Sequence, residues 1–344
     1  MTNSLGSYKK WFSVLTIMLL FSMLLNISLG SVSIPFTDTL KVLFGGTLKT
    51  TSWEYIILNY RIPKALTAIL VGGGLAVSGL LMQTLFRNPL AGPFVLGISS
   101  GASLGAALLI MGASLLSGFA TFQFLSDFSL AVAASIGSFL VLAVVMVVAN
   151  RVRDTMALLI IGLMFGSITG AIVSVLAYFS PAEQLQRFIF WSYGSVGNLS
   201  WEQLIILAIT VVVGLLLSLL SLKNLNALLL GENYAKSLGI SVKKSKFLII
   251  LSTGLLAGSI TAFAGPIAFV GLAVPHLTRQ FFNTMEHRVL LPAVFLYGGI
   301  LMLLCDCIAQ LPYSVNVIPI NAITSIIGGP VVIWILVKKR KLFF

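Results

Sequence analysis

A chain of 344 residues that is 58% hydrophobic and only 9% charged, with a mean hydropathy of +1.07, lies outside the soluble globular range and reads as a polytopic membrane protein. The net charge of +12 would suggest nucleic acid in a soluble protein, but here it is first a topology signal, and no nucleic-acid partner is expected. The two cysteines, Cys305 and Cys307, flank Asp306 inside one apolar run; they suggest neither a disulfide framework nor a metal cluster and are read as small buried residues.

A hydrocarbon core of roughly 30 Å takes about 20 apolar residues per helix. On that measure the apolar runs predict about ten spans: 11–30, 64–84, 94–115, 128–149, 156–178, 203–222, 246–264, 268–282, 289–309 and 320–337, the eighth short and poorly bounded. Residues 180–201 add a short non-spanning helix between the fifth and sixth. The first run follows Lys9 and Lys10, is longer than a signal-peptide core, and ends at Ser28-Leu29-Gly30, a poor cleavage site, so it is expected to be retained. Residues 1–344 are therefore expected to form a single all-α transmembrane domain in a lipid bilayer. Ten spans sort the basic residues unequally. One side receives 16, namely Lys9, Lys10, Arg87, Arg151, Arg153, Lys223, Lys236, Lys243, Lys244, Lys246, Arg279, Arg288, Lys338, Lys339, Arg340 and Lys341; the other receives 5, namely Lys41, Lys49, Arg61, Lys64 and Arg187. The positive-inside bias then puts both termini and the loop around Gly231 in the cytoplasm.

The segment from Lys223 to Lys246 interrupts this apolar chain with five lysines and Glu232. Its apolar residues Leu225, Leu228, Leu229, Ala235 and Leu238 recur at three-to-four-residue spacing, the pattern of short helices with one apolar face. An exposed amphipathic insert of this kind reads as a docking surface for a partner.

Catalytic readings lack their parts. Gly97-Ile98-Ser99-Ser100-Gly101 satisfies the Gly-x-Ser-x-Gly pattern, but it opens an apolar helix instead of following a strand, and His276 and His287 belong to a different boundary. No His-Glu-x-x-His and no phosphate-binding Gly-x-x-x-x-Gly-Lys-Ser/Thr loop occurs, so no catalytic residue, metal ligand or cofactor is assigned to this chain. If ATP drives the protein, another subunit binds it. Ion-coupled transport is the rival class; it calls for several intramembrane carboxylates or histidines, and the spans offer Asp306 alone, which serves equally well as a structural hydrogen-bond acceptor. Gly162, Gly166 and Gly170 form one stripe on the fifth span, and Gly101 and Gly105 repeat the theme on the third. Such stripes either line a pathway or allow close helix packing.

From Arg61 to Gly105 the sequence becomes specific. Arg61-Ile62-Pro63-Lys64, Leu75-Ala76-Val77-Ser78-Gly79, Gln83, Asn88-Pro89-Leu90-Ala91 and Leu96-Gly97 through Gly101-Ala102 resemble the signature of the FecCD family, the permeases of iron-siderophore, haem and vitamin B12 importers of the ABC class. Three further blocks agree in order: Trp191 to Trp201, Leu230-Gly231-Glu232 with Tyr234-Ala235 and Leu238-Gly239, and Gly265-Pro266-Ile267 leading to Phe269-Val270-Gly271-Leu272 and Pro275-His276-Leu277-Thr278-Arg279. The resemblance covers about residues 55–340.

The resemblance implies a ten-helix subunit of the vitamin-B12-importer (type II) fold in a bacterial or archaeal cytoplasmic membrane. It implies a dimer with a second copy or a close paralogue, two cytoplasmic ATPase subunits that bind ATP and Mg, and a solute-binding protein outside. Leu229, Leu230, Gly231, Glu232, Ala235, Leu238 and Gly239 would couple to the ATPase, with Gly231 and Gly239 allowing sharp turns between short helices. Arg61 and Lys64 would meet acidic residues of the binding protein. Asn88, Pro89, Pro275, His276, Arg279 and Asp306 would be structural or coupling residues. The cargo implied is an iron chelate, a ferric siderophore first, with haem or cobalamin as alternatives. Lys64, Gly92, Gln310 and Asn321 depart from the family pattern, at positions where arginine, an acidic residue, arginine and glycine are usual. Ala91 to Gly97 also echoes Ala264 to Gly271, as an inverted repeat of spans 2–5 and 7–10 would.

Overall fold

The computed structural model describes residues 5–48, 50–112, 127–152, 155–197, 199–310 and 317–338. Lys49, Arg153, Lys339, Arg340 and Lys341, together with 113–115 of the third expected span, lie outside the described residues. Regular structure among the described residues is entirely helical. In chain order the helices are α1 (Leu5–Ser28), α2 (Phe36–Leu43), α3 (Thr51–Ile56), α4 (Ile62–Leu85), α5 (Ile98–Ile110), α6 (Asp127–Arg151), α7 (Thr155–Phe179), α8 (Ala182–Ser192), α9 (Trp201–Leu220), α10 (Leu222–Leu229), α11 (Glu232–Ser237), α12 (Val242–Ala264), α13 (Val270–Phe282), α14 (His287–Ala309) and α15 (Ile320–Lys338). A π-helical turn, Ile57–Arg61, leads into α4, and a 3-10 turn, Pro93–Leu96, precedes α5.

Each of the ten expected spans is a helix, and α8 is the expected short helix between the fifth and sixth. Seven of the described helices (α1, α4 with its lead-in, α6, α7, α9, α12 and α14) are long and apolar enough to cross a membrane, while α5 and α15 are shorter apolar helices. The third and eighth expected spans, 94–115 and 268–282, contain α-helices of only 13 residues, α5 and α13, about 20 Å each. Helices α2 and α3, of 8 and 6 residues, were not anticipated; both are too short to register in a span-length window. Local chemistry sets several boundaries. Pro63 sits in the first turn of α4, where its missing N–H is one the helix cannot use. Ser200 and Gln203 form a capping box that starts α9.

The helices alternate direction, so the bundle has two ends. The loop end carries α10 and α11, the C-termini of α4 and α13 and the N-terminus of α14. The far end carries α2, α3, α8, the C-terminus of α14 and the N-terminus of α15. Within it the series α4 to α7 recurs as α12 to α15: a long helix, a break, a 13-residue helix, then two more helices. Both breaks turn through the left-handed region just before the half-length helix, at Gly97 (φ 71°) and at Phe269 (φ 66°). Helix α4 packs on α13 and α14 as α12 packs on α5 and α6, while α4 runs from the far end to the loop end and α12 the reverse. This is the inverted repeat that the two Ala-Gly-Pro segments suggested. Irregular backbone at these breaks is tolerated because protein, not lipid, surrounds it: Ala91, Pro93, Val95 and Leu96 are buried.

Glycines set the distances between the helices. A Cβ on Gly79 of α4 would fall on the carbonyl oxygen of Gly271 in α13, and one on Gly72 would fall on that of Gly298 in α14. In the other half, a Cβ on Gly101 would lie 2.6 Å from Gly137 O. Between helices in an apolar medium, close backbone approach of this kind is a main source of attraction, because lipid is as apolar as leucine. Gly79→Ala must therefore push α4 off α13, whereas Gly170→Ala, which meets nothing within 4 Å, only raises helix propensity. We expect Gly79→Ala to cost about 1–3 kcal/mol and to lower the melting temperature of the purified protein, with Gly170→Ala unchanged or slightly higher, measured by thermal unfolding in the same detergent.

Candidate functional site

At the loop end the polar segment folds as two short helices. Leu230 and Gly231 separate α10 from α11, and Gly239 follows α11; Gly231 (φ 108°) and Gly239 (φ 78°) adopt backbone that a side chain would strain. The apolar face expected to serve a partner is divided. Leu225, Leu228 and Ala235 are buried within the subunit, where α10 contacts α4, α9 and α12 and α11 contacts α12. That corrects the reading of the whole leucine face as a docking surface. Leu229 is half-buried, whereas Leu230 (63% exposed), Tyr234 (48%) and Leu238 (57%) project outward. Beside them lies a groove of about 580 Å³ lined by Leu85, Phe86, Arg87, Met156, Leu228 and residues 230–234 around Gly231. Glu232 is held from within the subunit by Lys246, Nζ to Oε1 2.8 Å.

Behind this surface the C-terminus of α4 is locked by the Asn88-Pro89 turn. Asn88 Oδ1 accepts from Leu90 N at 2.9 Å, and Pro89 O lies 2.8 Å from His276 Nε2, so His276 donates to a backbone carbonyl across α13. Arg279 Nη1 donates to Gln83 Oε1 (3.1 Å), and Gln83 Nε2 donates to Leu272 O (3.2 Å). Pro275 is buried inside α13. Thr84 and Asn226, which sequence reasoning passed over, and His287, weighed there only as a catalytic base, complete the cluster: His287 N and Nδ1 lie 3.0 and 2.7 Å from Asn226 Oδ1, and Nε2 lies 2.9 Å from Thr84 Oγ1. A polar residue next to a span boundary gives no sequence signal that separates it from ordinary loop polarity.

The far end corrects the docking assignment of Arg61. The residue is 7% exposed; its Nη1 donates to Ile27 O and Ser28 O, both 2.8 Å, and its Nη2 to Val32 O. A guanidinium has five donors and suits a cluster of carbonyls, so Arg61 ties the end of α1 to the start of α4, with Nη1 and Nη2 spent on backbone carbonyls within the subunit. Lys64 is likewise turned inward, Nζ to Asp306 Oδ2 2.9 Å, with both side chains largely shielded. Asn26 Nδ2 (2.7 Å) and Gln310 Nε2 (3.3 Å) donate to the same oxygen. Asp306 is thus one member of a buried cluster joining α1, α4 and α14. Two departures from the family pattern, Lys64 and Gln310, sit on this carboxylate. The third, Asn321, accepts from Ala268 N at 3.0 Å and satisfies an amide of the irregular segment before α13. The fourth, Gly92, leaves room for the ring of Phe94.

The glycine stripes resolve differently along their length. Gly101 and Gly105 pack against α6, and Gly162 packs against the 3-10 turn at Val95. A Cβ on Gly166 would lie a tight 3.3 Å from Ser100 Oγ, whereas Gly170 opens to free space beside exposed Ser167 and Ser174. Ser99, the centre of the Gly-x-Ser-x-Gly pattern, meets the Thr261 hydroxyl at 3.4 Å in the first turn of α5, with no histidine bonded to it.

The sequence model of the FecCD transport family matches residues 18–338. The chain belongs to that family. It is 36% identical over 328 residues to the haemin transport system permease HmuU of Yersinia pestis, covering 95% of each chain. It is 34% identical over 333 residues to the vitamin B12 import system permease BtuC of Klebsiella pneumoniae, covering 96% of this chain and 95% of that protein. Among solved structures, an inward-facing ABC transporter described as of metal-chelate type superposes with a TM-score of 0.83 at 30% identity, over 96% of this chain and 99% of the other. PsaBC of Streptococcus pneumoniae shares the fold at a TM-score of 0.53 and 16% identity.

The Lys64–Asp306 pair yields a stability test. Removing one partner leaves a buried charge alone, at a cost of about 3–5 kcal/mol, whereas replacing both with apolar residues restores much of that loss. Lys64→Met and Asp306→Leu should each lower the melting temperature sharply, and the double variant should melt well above either single, as a double-mutant cycle in thermal unfolding would show.

Proposed function

We propose that this chain is the permease subunit of an ABC importer that moves an iron chelate, a ferric siderophore first, across a bacterial or archaeal cytoplasmic membrane. ATP is bound and hydrolysed by two separate subunits on the side of the α10–α11 loop, which is the cytoplasmic side together with both termini. A second copy or a close paralogue completes the translocation pathway, and a solute-binding protein delivers cargo at the far end. The observation that carries this reading is the loop itself. Leu230, Tyr234 and Leu238 are exposed on a segment of two short helices with sharp glycine turns, the first two line a groove, and the chain has no nucleotide-binding motif. Such a surface fits a soluble partner better than lipid, because lysines surround it.

On the pathway side, the Gly166–Gly170 stretch of α7 with Ser167 and Ser174 offers a smooth face of small residues, the surface a bulky chelate can slide past. Gly101, Gly105 and Gly162 serve helix packing. Haem is the second reading, favoured by the 36% identity to a haemin permease over nearly the whole chain. His276 supplies no haem ligand in that reading, since its Nε2 is engaged by Pro89 O. With Arg61 and Lys64 committed to the fold, the basic side chains that reach the far-end surface include Lys41 and Arg187, each paired with an acidic neighbour.

Leu238→Asp and Tyr234→Asp put a charge into the proposed contact without touching the buried half of the loop. Both variants should insert and melt like the parent yet lose co-purification with the ATPase by tenfold or more, the effect of about 1.4 kcal/mol or more at a central apolar contact. Undiminished co-purification and chelate uptake in both would overturn the assignment of the loop.

A further inference from the structure

Two charged or polar links connect the loop to the bundle. On α11, Glu232 binds Lys246 at the start of α12. On α10, Asn226 reaches the start of α14 and, through it, α4. The second link is the more specific in its chemistry. Asn226 Nδ2 donates to Glu286 Oε1 at 2.8 Å, which fixes the amide so that its Oδ1 faces His287. That oxygen accepts both the backbone N–H and the Nδ1–H of His287, at 3.0 and 2.7 Å. With Nδ1 protonated, Nε2 can only accept, so the Thr84 hydroxyl, 2.9 Å from both Nε2 and Leu80 O, shares its one proton between the ring and its own helix. His287 and Thr84 have no exposed surface. One turn away on α13, Arg279 bonds to the neighbouring Gln83 of α4.

We propose that the chain Asn226, His287, Thr84 is the coupling relay that delivers displacement of the α10–α11 loop to α4, with His287 as the positioning residue; this rests on the reading of the loop as the ATPase contact. The physical argument is directional. The buried Thr84–His287 bond cannot be exchanged for water as α4 and α14 separate, and the two part-buried bonds from His287 to Asn226 tie α10 to the same first turn of α14, so the three segments move together or break bonds at a cost. Apolar contacts of the loop through Leu225 and Leu228 can slide; a fixed imidazole bridging two side chains cannot. Because α4 packs directly against α13 and α14 through glycine, displacement of its C-terminus is passed to the bundle as rigid-body motion. Asn226 also caps α14 by accepting its first N–H, and a cap alone would account for stability but not for coupling.

The test therefore reads coupling separately from assembly. The permease with its ATPase and binding protein is reconstituted in liposomes, and ferric chelate uptake and ATP hydrolysis are measured on the same preparation. Thr84→Val and Asn226→Leu remove the polar atoms with little change in volume, while Thr84→Ser keeps the hydroxyl that faces His287. The relay predicts that the first two assemble normally and hydrolyse ATP but import about fivefold to tenfold less chelate per ATP, the size expected for loss of one buried link. It predicts that Thr84→Ser stays within about twofold of the parent, and that the double Thr84→Val, Asn226→Leu variant is no worse than either single because one chain is broken once. If Asn226→Leu fails to assemble, Thr84→Val, which lies inside the subunit, decides alone. An unchanged uptake-to-hydrolysis ratio in Thr84→Val overturns the relay, as does additive loss in an assembled double variant. If the parental complex itself shows no ATP-driven uptake, the functional reading of the chain falls and the relay with it.

Discussion

The contact on which the rest of this structure depends is the backbone-to-backbone approach of α4 to α13 and α14. Gly72, Gly79, Gly271 and Gly298 have no Cβ, and no room is left where one would be. Water supplies no hydrophobic drive between helices in a bilayer, so helix association rests on dispersion, and dispersion rewards closeness. Once α4 is seated this tightly, its neighbours are positioned by it. Gly254 and Gly258 of α12 pack against α6 and α5 in the other half, and the two half-length helices α5 and α13 are held with their irregular leads inside protein.

Polar side chains pin both ends of the seated helix. At the far end Arg61 satisfies the last carbonyls of α1 while Lys64 meets Asp306; at the loop end Gln83 and Thr84 meet Arg279 and His287. Each of these groups would be costly alone in an apolar medium, so each pair forms only when the helices are in register. Apolar packing sets distance and the polar pairs set register. The residues that depart from the family pattern obey the same logic: Lys64 and Gln310 converge on one carboxylate, and Asn321 satisfies an amide that the break before α13 leaves free.

The fold was legible because hydropathy in a membrane protein is nearly a direct readout of its helices, and the ten spans appear within a few residues of where apolar runs place them. The breaks before α5 and α13 were legible as paired Ala-Gly-Pro segments. What the sequence could not disclose was direction. Arg61 and Lys64 look like surface charges beside a span, and only tertiary structure turns them inward toward Ile27 O and Asp306. The leucines at 225, 228 and 238 share one spacing, yet two are buried by the subunit and the third is not, a division set by α4, α9 and α12 rather than by the loop itself. His287 and Asn226 lie 61 residues apart in sequence, and nothing local marks them as partners.

If α4 with α13 and α14 is one rigid body and α7 rides at its edge, the two should part company during the transport cycle. Helix α7 exposes much of its length, and its glycine contacts with the rest of the bundle lie at Gly162 and Gly166, toward its N-terminal half. Spin labels at the exposed positions Tyr60 and Ile308 report the distance across the α4–α14 contact, and labels at Ile168 and Ile205 report α7 against α9. Pulsed-dipolar distances in the reconstituted transporter, compared between nucleotide-free and ATP-trapped states, are predicted to stay fixed within about 1–2 Å for the first pair and to shift by several ångströms for the second. A shift across the first pair as large as that across the second would contradict the account.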